Sequence, residues 1–480
     1  MRKILICVLL GSVNYCFSQD YHAITGSNYA GALGVHNNPA SIVNTPYPWD
    51  LTLFGIQAKY QTNAITVIDY SLLSSPANSK FLITGRDFSR YGNAQANINL
   101  LNTRISLGKK RAIAFGASMR TVSNLSTEPY NYKDTIQSVQ SFFSMNTGTG
   151  PLGAKLRSSN LLEGYLTYGQ TILDHPSYRL NGALTIKLNR GLAGAHANLQ
   201  DVKHQEIAIN GEPDYLVSSG QIAYGYSANL DPWENNQGSN EKLKSLLNGS
   251  RYSFSLDAGL ELIIKPPGVP GYMDDEESYF DYDWKIAASL IDVGRSQYNY
   301  GENSRQGSIV APGFTANSLD LKFDSTITGL SEFSDSLATL MPLNEYTGHF
   351  NMYSPARFIL NIDRYIWGAW FVNAELSVNM TALLGKKRLY VKDMNLLRIT
   401  PRWETRRWGM YLPIQVNTKG QFWIGAAAKA GPLLIGFHNL GNVFSKNKMA
   451  NGGGFIAFTI RPGKRVTQGK KQKMLDCPKY

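Results

Sequence analysis

Cysteine is almost absent from this chain, and most of it lies at the N-terminus. Two of the three cysteines, Cys7 and Cys16, fall in an opening segment that reads as a secretory signal peptide over residues 1–18. That segment has a basic start, a short apolar run and a small residue before Gln19. The mature chain then keeps only Cys477, and one thiol excludes an internal disulfide framework and a cysteine-based zinc site.

Long apolar runs are also missing. No segment after the signal peptide approaches the roughly 18 consecutive apolar residues of a transmembrane helix, so no such helix is predicted. The 44 glycines and 27 tyrosines favour a β protein with many turns. The mean hydropathy of −0.24 does not separate a soluble exported β protein from a membrane barrel, because transmembrane strands alternate apolar and polar residues. The net charge of +12 favours contact with anionic surfaces.

Recognisable catalytic and metal-binding patterns are missing too. The seven histidines show no HxxxH or HExxH spacing, and the chain has no GxSxG motif. An acidic run at residues 274–277 lies in a Pro/Gly-rich stretch, where clustered carboxylates are usually solvated. We therefore expect a protein that is not an enzyme and that uses no metal and no cofactor. Nucleic acid is not an expected partner.

The clearest pattern that is present covers residues 396–439, where alternating segments are joined by tight turns. Apolar and aromatic residues fall on one face of each segment with a period of two, which indicates β-strands. The opposite face of the first segment carries Arg398, Arg402, Glu404 and Arg406. A charged face suits the wall of a barrel better than the core of a sandwich, so these four side chains are predicted to project into a lumen.

Other strands repeat this pattern. Residues 252–264 set seven apolar or aromatic side chains against a face that carries Asp257 and Glu261. Glu375 occupies the polar face of a strand over residues 370–380. We predict that these acids supply counter-charges to the lumen arginines. Either the charges select an anionic solute or they form a structural network that fills the barrel, and the structural network is favoured.

Connection lengths alternate over most of the C-terminal half. The tight turns are at residues 366–368, 406–407 and 431–432, and the long connections are at 293–354, 381–395 and 440–452. Outer-membrane barrels show this asymmetry, with short periplasmic turns and longer external loops. Two connections break the rule, a short external turn at 417–420 and a long periplasmic one at 266–283.

The predicted fold is all-β, a single transmembrane antiparallel β-barrel of about 14–16 strands over residues 50–461. Both termini are predicted to be periplasmic, with a basic periplasmic tail over residues 462–480. The tail is interpreted as a solvated end, although it could instead bind an anionic polymer or a periplasmic partner.

Several stretches depart from simple alternation. We predict a β-bulge at Leu100 and Leu101, where the alternation changes phase, and a short amphipathic helix within residues 331–340. Residues 122–160 are predicted to form a long loop. Residues 191–202 are predicted to form either a short helix or a loop folded inward.

Residues 19–49, between the signal peptide and the barrel, are rich in small residues and lack alternation. They contain Gly34 and run into Asn38-Pro39-Ala40 directly before the first strand, with a short helical turn expected to end before the proline. This layout resembles the start of FadL-like outer-membrane proteins, which include the long-chain fatty-acid transporter and the PorV-type accessory proteins of type IX secretion. The resemblance implies that the segment is a short N-terminal hatch in the lumen of a 14-stranded barrel.

The whole-chain layout also resembles an outer-membrane family to which no activity is assigned, through residues 290–294, 401–403 and 430–433. Two functions stay open. A FadL-like barrel would pass or bind a hydrophobic or amphipathic compound at the cell outer membrane. A PorV-like accessory barrel would instead bind a secretion-system or surface-attachment protein. A continuous apolar pocket beside residues 38–40 favours transport, and a lumen blocked by charged side chains favours the accessory function. Outer-membrane lipid is an expected partner in both cases.

Overall fold

The computed structural model of this chain describes residues 22–69, 71, 80–133, 136, 138–209, 211–234, 238–248, 250–266, 278–324, 327–385, 388–444 and 450–462. The predicted signal peptide, the acidic run at residues 274–277 and residues 463–480 of the predicted tail lie outside the described residues.

β-Strands make up most of the described chain. In chain order they are β1 (Trp49–Thr62), β2 (Ile65–Ile68), β3 (Lys80–Ile83), β4 (Phe88–Ser106), β5 (Arg111–Tyr130), β6 (Leu152–Asp174), β7 (Tyr178–Ile209), β8 (Glu212–Tyr226), β9 (Tyr252–Ile264), β10 (Trp284–Asn299), β11 (Arg305–Ser308), β12 (Phe314–Thr315), β13 (Leu343–Glu345), β14 (His349–Tyr353), β15 (Arg357–Trp367), β16 (Trp370–Asn379), β17 (Leu396–Glu404), β18 (Trp408–Tyr411), β19 (Ile414–Asn417), β20 (Phe422–Ile424), β21 (Ala426–Ala430), β22 (Leu433–Phe437) and β23 (Asn451–Ile460).

The described helices are short. The α-helices are α1 (Val139–Met145), α2 (Asp231–Glu234), α3 (Ser239–Asn248), α4 (Ala316–Lys322), α5 (Leu330–Ala338) and α6 (Gly441–Phe444). Turns of 3-10 helix occur at His22–Ile24, Gly31–His36, Pro39–Ile42, Ala228–Leu230, Ser278–Phe280 and Thr381–Leu384. Among the described residues, no helix combines the length and the apolar character needed to cross a membrane.

Fourteen strands close into one antiparallel barrel. β1 closes the ring by pairing with β4 on one side and with β23 on the other. β7 pairs with β9, and β10 pairs with β15. The elements that lie between β7 and β9 in the chain, and those between β10 and β15, are therefore not part of the wall. Two wall strands are interrupted, because β18 continues as β19 beyond Pro413 and β20 continues as β21 beyond Gly425. The predicted all-β barrel is confirmed, with a strand number at the lower end of the predicted range.

Alternation gives the wall one apolar and one polar face. On β9, Phe254 points outward and is 67% exposed, while Asp257 points inward and is 1% exposed. The exposed tryptophans of the wall gather near one end of the barrel, at Trp49, Trp284, Trp367, Trp370 and Trp408. An outward apolar band with an aromatic girdle is the surface of a barrel embedded in a membrane.

The two ends of the barrel differ in their connections. One end, which we call the short-turn end, carries the C-terminal end of the described chain and the turns at residues 107–110, 175–177, 368–369, 405–407 and 431–432. The other, the long-loop end, carries the connections at residues 63–87, 131–151, 210–251, 300–356, 380–395 and 438–450. The two connections that break the alternation of lengths are also present. The one at 418–421 is short, and the one at 265–283 is long, as the sequence indicates. Which compartment each end faces stays a prediction.

Residues 22–48 lie inside the barrel at the short-turn end, and we call them the hatch. Their 3-10 turns contact different strands of the wall. Leu33 packs in a buried cluster with Phe455 of β23, and Ile42 packs in another with Ala114 of β5. Small inward-facing residues on these strands leave room for the turns of the hatch.

Several strands continue beyond the lipid-facing band at the long-loop end. β5, β6 and β7 extend into a sheet that β8, β11 and β13 complete. α1 and α4 pack on this sheet around Phe143 and Val217, and α5 packs beside them around Tyr224 and Leu337. We call residues 126–155, 195–248 and 300–348 the long-loop module.

Two expectations for this region are wrong. Residues 122–160 are the end of β5, α1 and the start of β6 rather than a long loop. Residues 191–202 are neither a helix nor an inward loop but part of β7, which runs for 32 residues. The alternation fails there because Gly191 and Gly194 face the ring of Tyr298, where an added Cβ would lie 2.7 Å from ring carbons. The ring of Tyr298 fills the space that inward-facing side chains at positions 191 and 194 would otherwise occupy.

Two smaller predictions are confirmed. The register between β4 and β5 shifts between Asn99 and Leu101, which is the predicted bulge. The predicted amphipathic helix is α5. The hairpin of β2 and β3 at the long-loop end was not predicted, because its strands have only four residues each and are too short to show alternation.

Candidate functional site

The hatch is tied to the wall by charged side chains that reach its backbone. Arg104 on β4 donates from Nε to the carbonyl oxygen of Ile42 at 2.6 Å and from Nη1 to that of Tyr47 at 2.5 Å. Asp50 on β1 accepts from the backbone N–H of Ala32 at 2.7 Å. Both charged side chains are fully buried. Hydrogen bonds to charged groups are roughly twice as strong as neutral ones, so these contacts fix the hatch in place.

The Asn38-Pro39-Ala40 motif joins the hatch to β9. Asn38 caps the 3-10 turn Pro39–Ile42, because its Oδ1 accepts from the N–H of Ala40 at 2.9 Å. Its Nδ2 donates to the carbonyl oxygen of Leu260 at 3.1 Å. Pro39 is the first residue of the turn, where the missing N–H leaves no hydrogen bond unmade. The motif therefore ends one turn of the hatch, begins the next and binds the wall at the same point.

Two glycines permit the close packing around this motif. Gly259 on β9 faces Asn38, and an added Cβ would overlap the side-chain oxygen of Asn38. Gly34 lies against Ser41 within the hatch, where an added Cβ would be 2.7 Å from Oγ. Both positions need a residue without a side chain for the hatch to pack as it does.

Above the hatch, a layer of paired charges crosses the lumen, centred on Asp292 of β10. Arg120 donates to both carboxylate oxygens of Asp292, at 2.8 and 2.5 Å, and Lys187 Nζ lies 2.7 Å from Oδ1. Lys187 also lies 2.8 Å from Asp257. Glu163 lies 3.7 Å from Arg120 and 3.8 Å from Lys187. All five side chains are buried, where opposite charges attract more strongly than in water.

The layer continues to the opposite wall through Asp393. Arg357 on β15 lies 4.0 Å from Asp292 and donates to Asp393 at 2.8 Å. Lys59 on β1 lies 3.0 Å from Asp393. Asp393 belongs to the connection between β16 and β17, so that connection folds into the lumen. Four acids and four bases make the layer electrically neutral, which suits charges that are buried and must be paired.

A second group of charges lies beside the hatch. Arg402 on β17 contacts Asp363 through both terminal nitrogens, at 2.8 and 2.7 Å, and Glu404 through Nε at 3.2 Å. Lys429 donates to Glu404 at 2.9 Å. Tyr282 donates its hydroxyl hydrogen to Asp363 at 2.5 Å. Every charge in this group has an oppositely charged neighbour.

The predicted lumen charges are found inside the barrel with one exception. The buried ones are Arg398, Arg402, Glu404, Asp257, Glu261 and Glu375. Arg398 and Glu375 form an ion pair at 3.0 Å on adjacent strands. Arg406 lies instead in the turn after β17, with its guanidinium 5.1 Å from the ring centroid of Tyr47. The prediction placed Arg406 in the same row, but the strand and its alternation end at Glu404.

Two cavities within the described part of the lumen are small. One beside the hatch measures about 30 Å³ and includes Asn38, Glu261, Lys285 and Asn361 in its lining. Another, beside Trp423, measures about 10 Å³. Such volumes hold one or two water molecules, whereas pockets for small organic ligands are roughly 300 Å³ or more. The lining of the first cavity combines these polar side chains with apolar ones such as Ile24, Ala287 and Ile359. Its small volume, and not its polarity, is what counts against a continuous apolar pocket beside residues 38–40.

Aromatic side chains close the long-loop end of the lumen. Tyr298, in the second half of β10, places its hydroxyl 2.7 Å from Ser159 on β6. Its ring stacks on Phe350 of β14 with the ring centroids 5.3 Å apart. Met352 and Val391 belong to the same buried cluster. We call these side chains the cap.

The lumen is thus occupied at three levels, by the hatch, the charged side chains and the cap. Within the part of the chain that the structure describes, no group of three or more His, Cys, Asp or Glu side chains could hold a metal ion. The acids and bases of the charged layer lie beside one another, which is the arrangement that the interpretation as a structural network predicts.

Sequence reasoning missed the centre of the charged layer. Asp292 lies within a register shift, between Leu290 and Val293, and has a φ of 62°, so counting alternate residues along β10 does not give its face. Asp393 lies in a long connection that has no alternation at all. Lys187 lies on the polar face of a clearly alternating strand, and that position was the one signal that could have identified it as a lumen residue.

Solved structures provide comparisons, while no family model and no curated protein matches the sequence. The toluene transporter TbuX of Ralstonia pickettii is 10% identical, with a TM-score of 0.42 over 93% of this chain and 99% of that one. A Pseudomonas aeruginosa FadL homologue is 10% identical, with a TM-score of 0.41 over 93% and 97%. The P. putida toluene transporter TodX is 9% identical, with a TM-score of 0.42 over 90% and 95%.

These similar structures belong to the FadL-like class that the start of the chain resembles, but at such identities and TM-scores they carry no argument about what this chain binds. The assignment rests on the strand pairing, the outward apolar band and the tryptophan girdle. On these grounds the protein is an outer-membrane β-barrel protein with 14 wall strands.

Proposed function

We propose that this protein is a non-transporting outer-membrane barrel that displays the long-loop module at the cell surface, where the module binds a partner protein. The observation that supports this proposal is the filled lumen, in which the cavity beside the hatch measures only about 30 Å³. The short-turn end is then periplasmic. A secretion or surface-attachment protein is the class of partner that suits this arrangement.

The long-loop module supports the proposal because it is more than a set of connecting loops. Strands that leave the membrane band continue as a sheet, and helices cover that sheet with a buried apolar core of its own. A barrel that served only as a pore would not need such a core above its mouth. The wall then acts as the anchor, and binding takes place on the module.

Transport of a hydrophobic compound is the competing function. It would require the hatch to leave its hydrogen bonds to Arg104 and Asp50 and the charged layer to separate, because the paired side chains occupy the path. Breaking even one buried ion pair costs about 3–5 kcal/mol. The resting barrel is therefore expected to be closed to solutes and to hold no hydrophobic ligand.

The first test measures permeability and bound ligand. The full chain is reconstituted in planar bilayers and in vesicles, and conductance and sugar-driven swelling are compared with those of an open porin. No channel activity is expected, and native mass spectrometry of the detergent-extracted protein should show no stoichiometric hydrophobic ligand. A bound fatty acid or hydrocarbon, or conductance like that of the porin, would instead support transport.

The second test locates the binding surface. A photo-crosslinking amino acid replaces Leu321 on α4, a large side chain of the module that is 70% exposed. The matched control replaces Leu184 on β7, which is 65% exposed but points to lipid. In the native membrane, Leu321 is expected to give a discrete protein adduct and Leu184 only lipid adducts. If neither position crosslinks to protein, the module is not the binding surface.

A further inference from the structure

Basic residues collect at the short-turn end of the barrel. Its described turns and strand ends (106–111, 174–178, 265–266, 278–283, 364–369, 405–408, 430–433 and 461–462) contain eight Lys or Arg residues and three Asp residues. The described residues of the long-loop module, by contrast, include fourteen Asp or Glu residues and only seven Lys or Arg residues. Among the described residues, the excess of positive charge therefore lies at the short-turn end. The connection 265–283 also contains the acidic run at residues 274–277, which lies outside the described residues.

These basic side chains border the lipid-facing surface. Arg111 begins β5 on the same outward face as Phe115, which is exposed to lipid. Arg364 on β15 places its guanidinium 4.6 Å from the ring centroid of Trp284, a member of the tryptophan girdle. Arg407 directly precedes Trp408 of the same girdle. A long cationic side chain at such a position can lay its stem on the apolar wall and hold its charge at headgroup level.

Not all of these basic side chains form an ion pair within the described part of the protein. Lys110 and Lys265 share Asp174, at 3.0 and 2.9 Å, and Arg364 pairs with Asp283. Among the described residues, Arg111 and Arg407 have no carboxylate partner. Two exposed guanidinium groups therefore remain available to an external anion.

We infer that the short-turn end binds anionic phospholipid headgroups through a collar of basic residues in which Arg111 and Arg407 are the free contacts. The charges lie on separate turns around the perimeter, as a surrounding bilayer requires, whereas a compact acidic protein would need a single patch. The centre of this end is taken by the hatch, since Arg461 donates to the carbonyl oxygen of Tyr29 at 3.1 Å. A guanidinium matches a phosphodiester with paired hydrogen bonds. This inference rests on the barrel and not on the proposed partner of the module.

The test uses the full chain in phosphatidylcholine bilayers at low ionic strength. Spin-labelled phosphatidylglycerol and spin-labelled phosphatidylcholine report the ratio of their association constants by electron paramagnetic resonance. The wild-type protein should prefer phosphatidylglycerol, and added salt should weaken the preference. The double variant R111Q/R407Q should lower it, by up to roughly fivefold for each charge removed. Unchanged heat-modifiable mobility on gels shows that the variant barrel is folded.

A second double variant provides the matched control. K203Q/K322Q removes two positive charges from exposed positions of the module and should keep the wild-type preference. Equal losses of lipid preference in both double variants would mean that the net charge of the protein, and not the collar, determines the preference. That result would overturn the inference. So would a wild-type protein without preference. A chain truncated after Pro462 should keep the preference, and its loss there would assign binding to the tail instead.

Discussion

Replacing Asp292 with asparagine tests whether the layer of paired charges holds the barrel together. Asparagine keeps the size of the side chain and tolerates the positive φ of 62° at this position, so the backbone can stay as it is. The change removes the negative charge that Arg120 and Lys187 share. Arg120 then keeps only Glu163, at 3.7 Å, as an acidic neighbour.

The expected magnitude follows from burial. Removing one partner of a buried ion pair costs about 3–5 kcal/mol, because the other charge stays buried without compensation. Lys187 still has Asp257 at 2.8 Å, so we expect the lower part of that range, about 3 kcal/mol. The matched control is Glu345→Gln, which breaks an ion pair with Arg305 at 3.2 Å. The Glu345 side chain is 69% exposed, and exposed pairs contribute at most about 1 kcal/mol.

The assay is urea unfolding of the protein folded in phospholipid vesicles, followed by the fluorescence of its eight tryptophans. Folding and unfolding branches are both recorded, so that the free energy of unfolding is an equilibrium value. Asp292→Asn is expected to lower that free energy by about 3 kcal/mol and Glu345→Gln by no more than about 1 kcal/mol. Small and equal losses in the two variants would refute the reasoning that pairing in the lumen stabilises the barrel.

Three further predictions concern the module, the hatch and the cap. His196 lies in the module, beyond Leu188, the last lipid-exposed residue of β7, and burial, with Arg157 nearby, lowers its pKa to about 4. Because the unfolded histidine binds its proton near pH 6.5, the module should lose stability as the pH falls from about 6.5 to 4, by about 2 kcal/mol at pH 5. Hydrogen exchange should show this loss, and an equal loss in His196→Phe would contradict it. Gly259→Val should push the hatch from β9 and expose residues 22–48 to protease in the folded barrel, whereas Gly164→Val, where an added Cβ meets nothing nearer than 4.0 Å, should not. Equal protection in both variants would count against a close fit of the hatch. Tyr298→Ala should destabilise the barrel by about 3–5 kcal/mol in the urea assay through the cavity it leaves, and a loss below about 1 kcal/mol would show that the cap is loosely packed.

Alternation along the chain is sufficient to predict the wall. Each wall strand has lipid on one side and the lumen on the other, so its own pattern of apolar and polar residues encodes both faces. That pattern correctly placed Arg398 and Glu375 in the lumen. It failed for Arg406, where the strand ends, and for residues 191–202, where glycines accommodate the ring of Tyr298.

The sequence by itself determined a barrel wall, the lumen face of most strands, the difference in loop length between the ends and a small-residue segment ahead of the wall. Only the tertiary structure decided what fills the lumen. Arg120 and Asp292 are 172 residues apart, and their pairing depends on closure of the ring. Asp393 and Val391 come from a connection without any periodic pattern. A strand's pattern is local, whereas the blocking of the lumen depends on which side chains meet across it, and the proposal of an accessory barrel rests on that blocking.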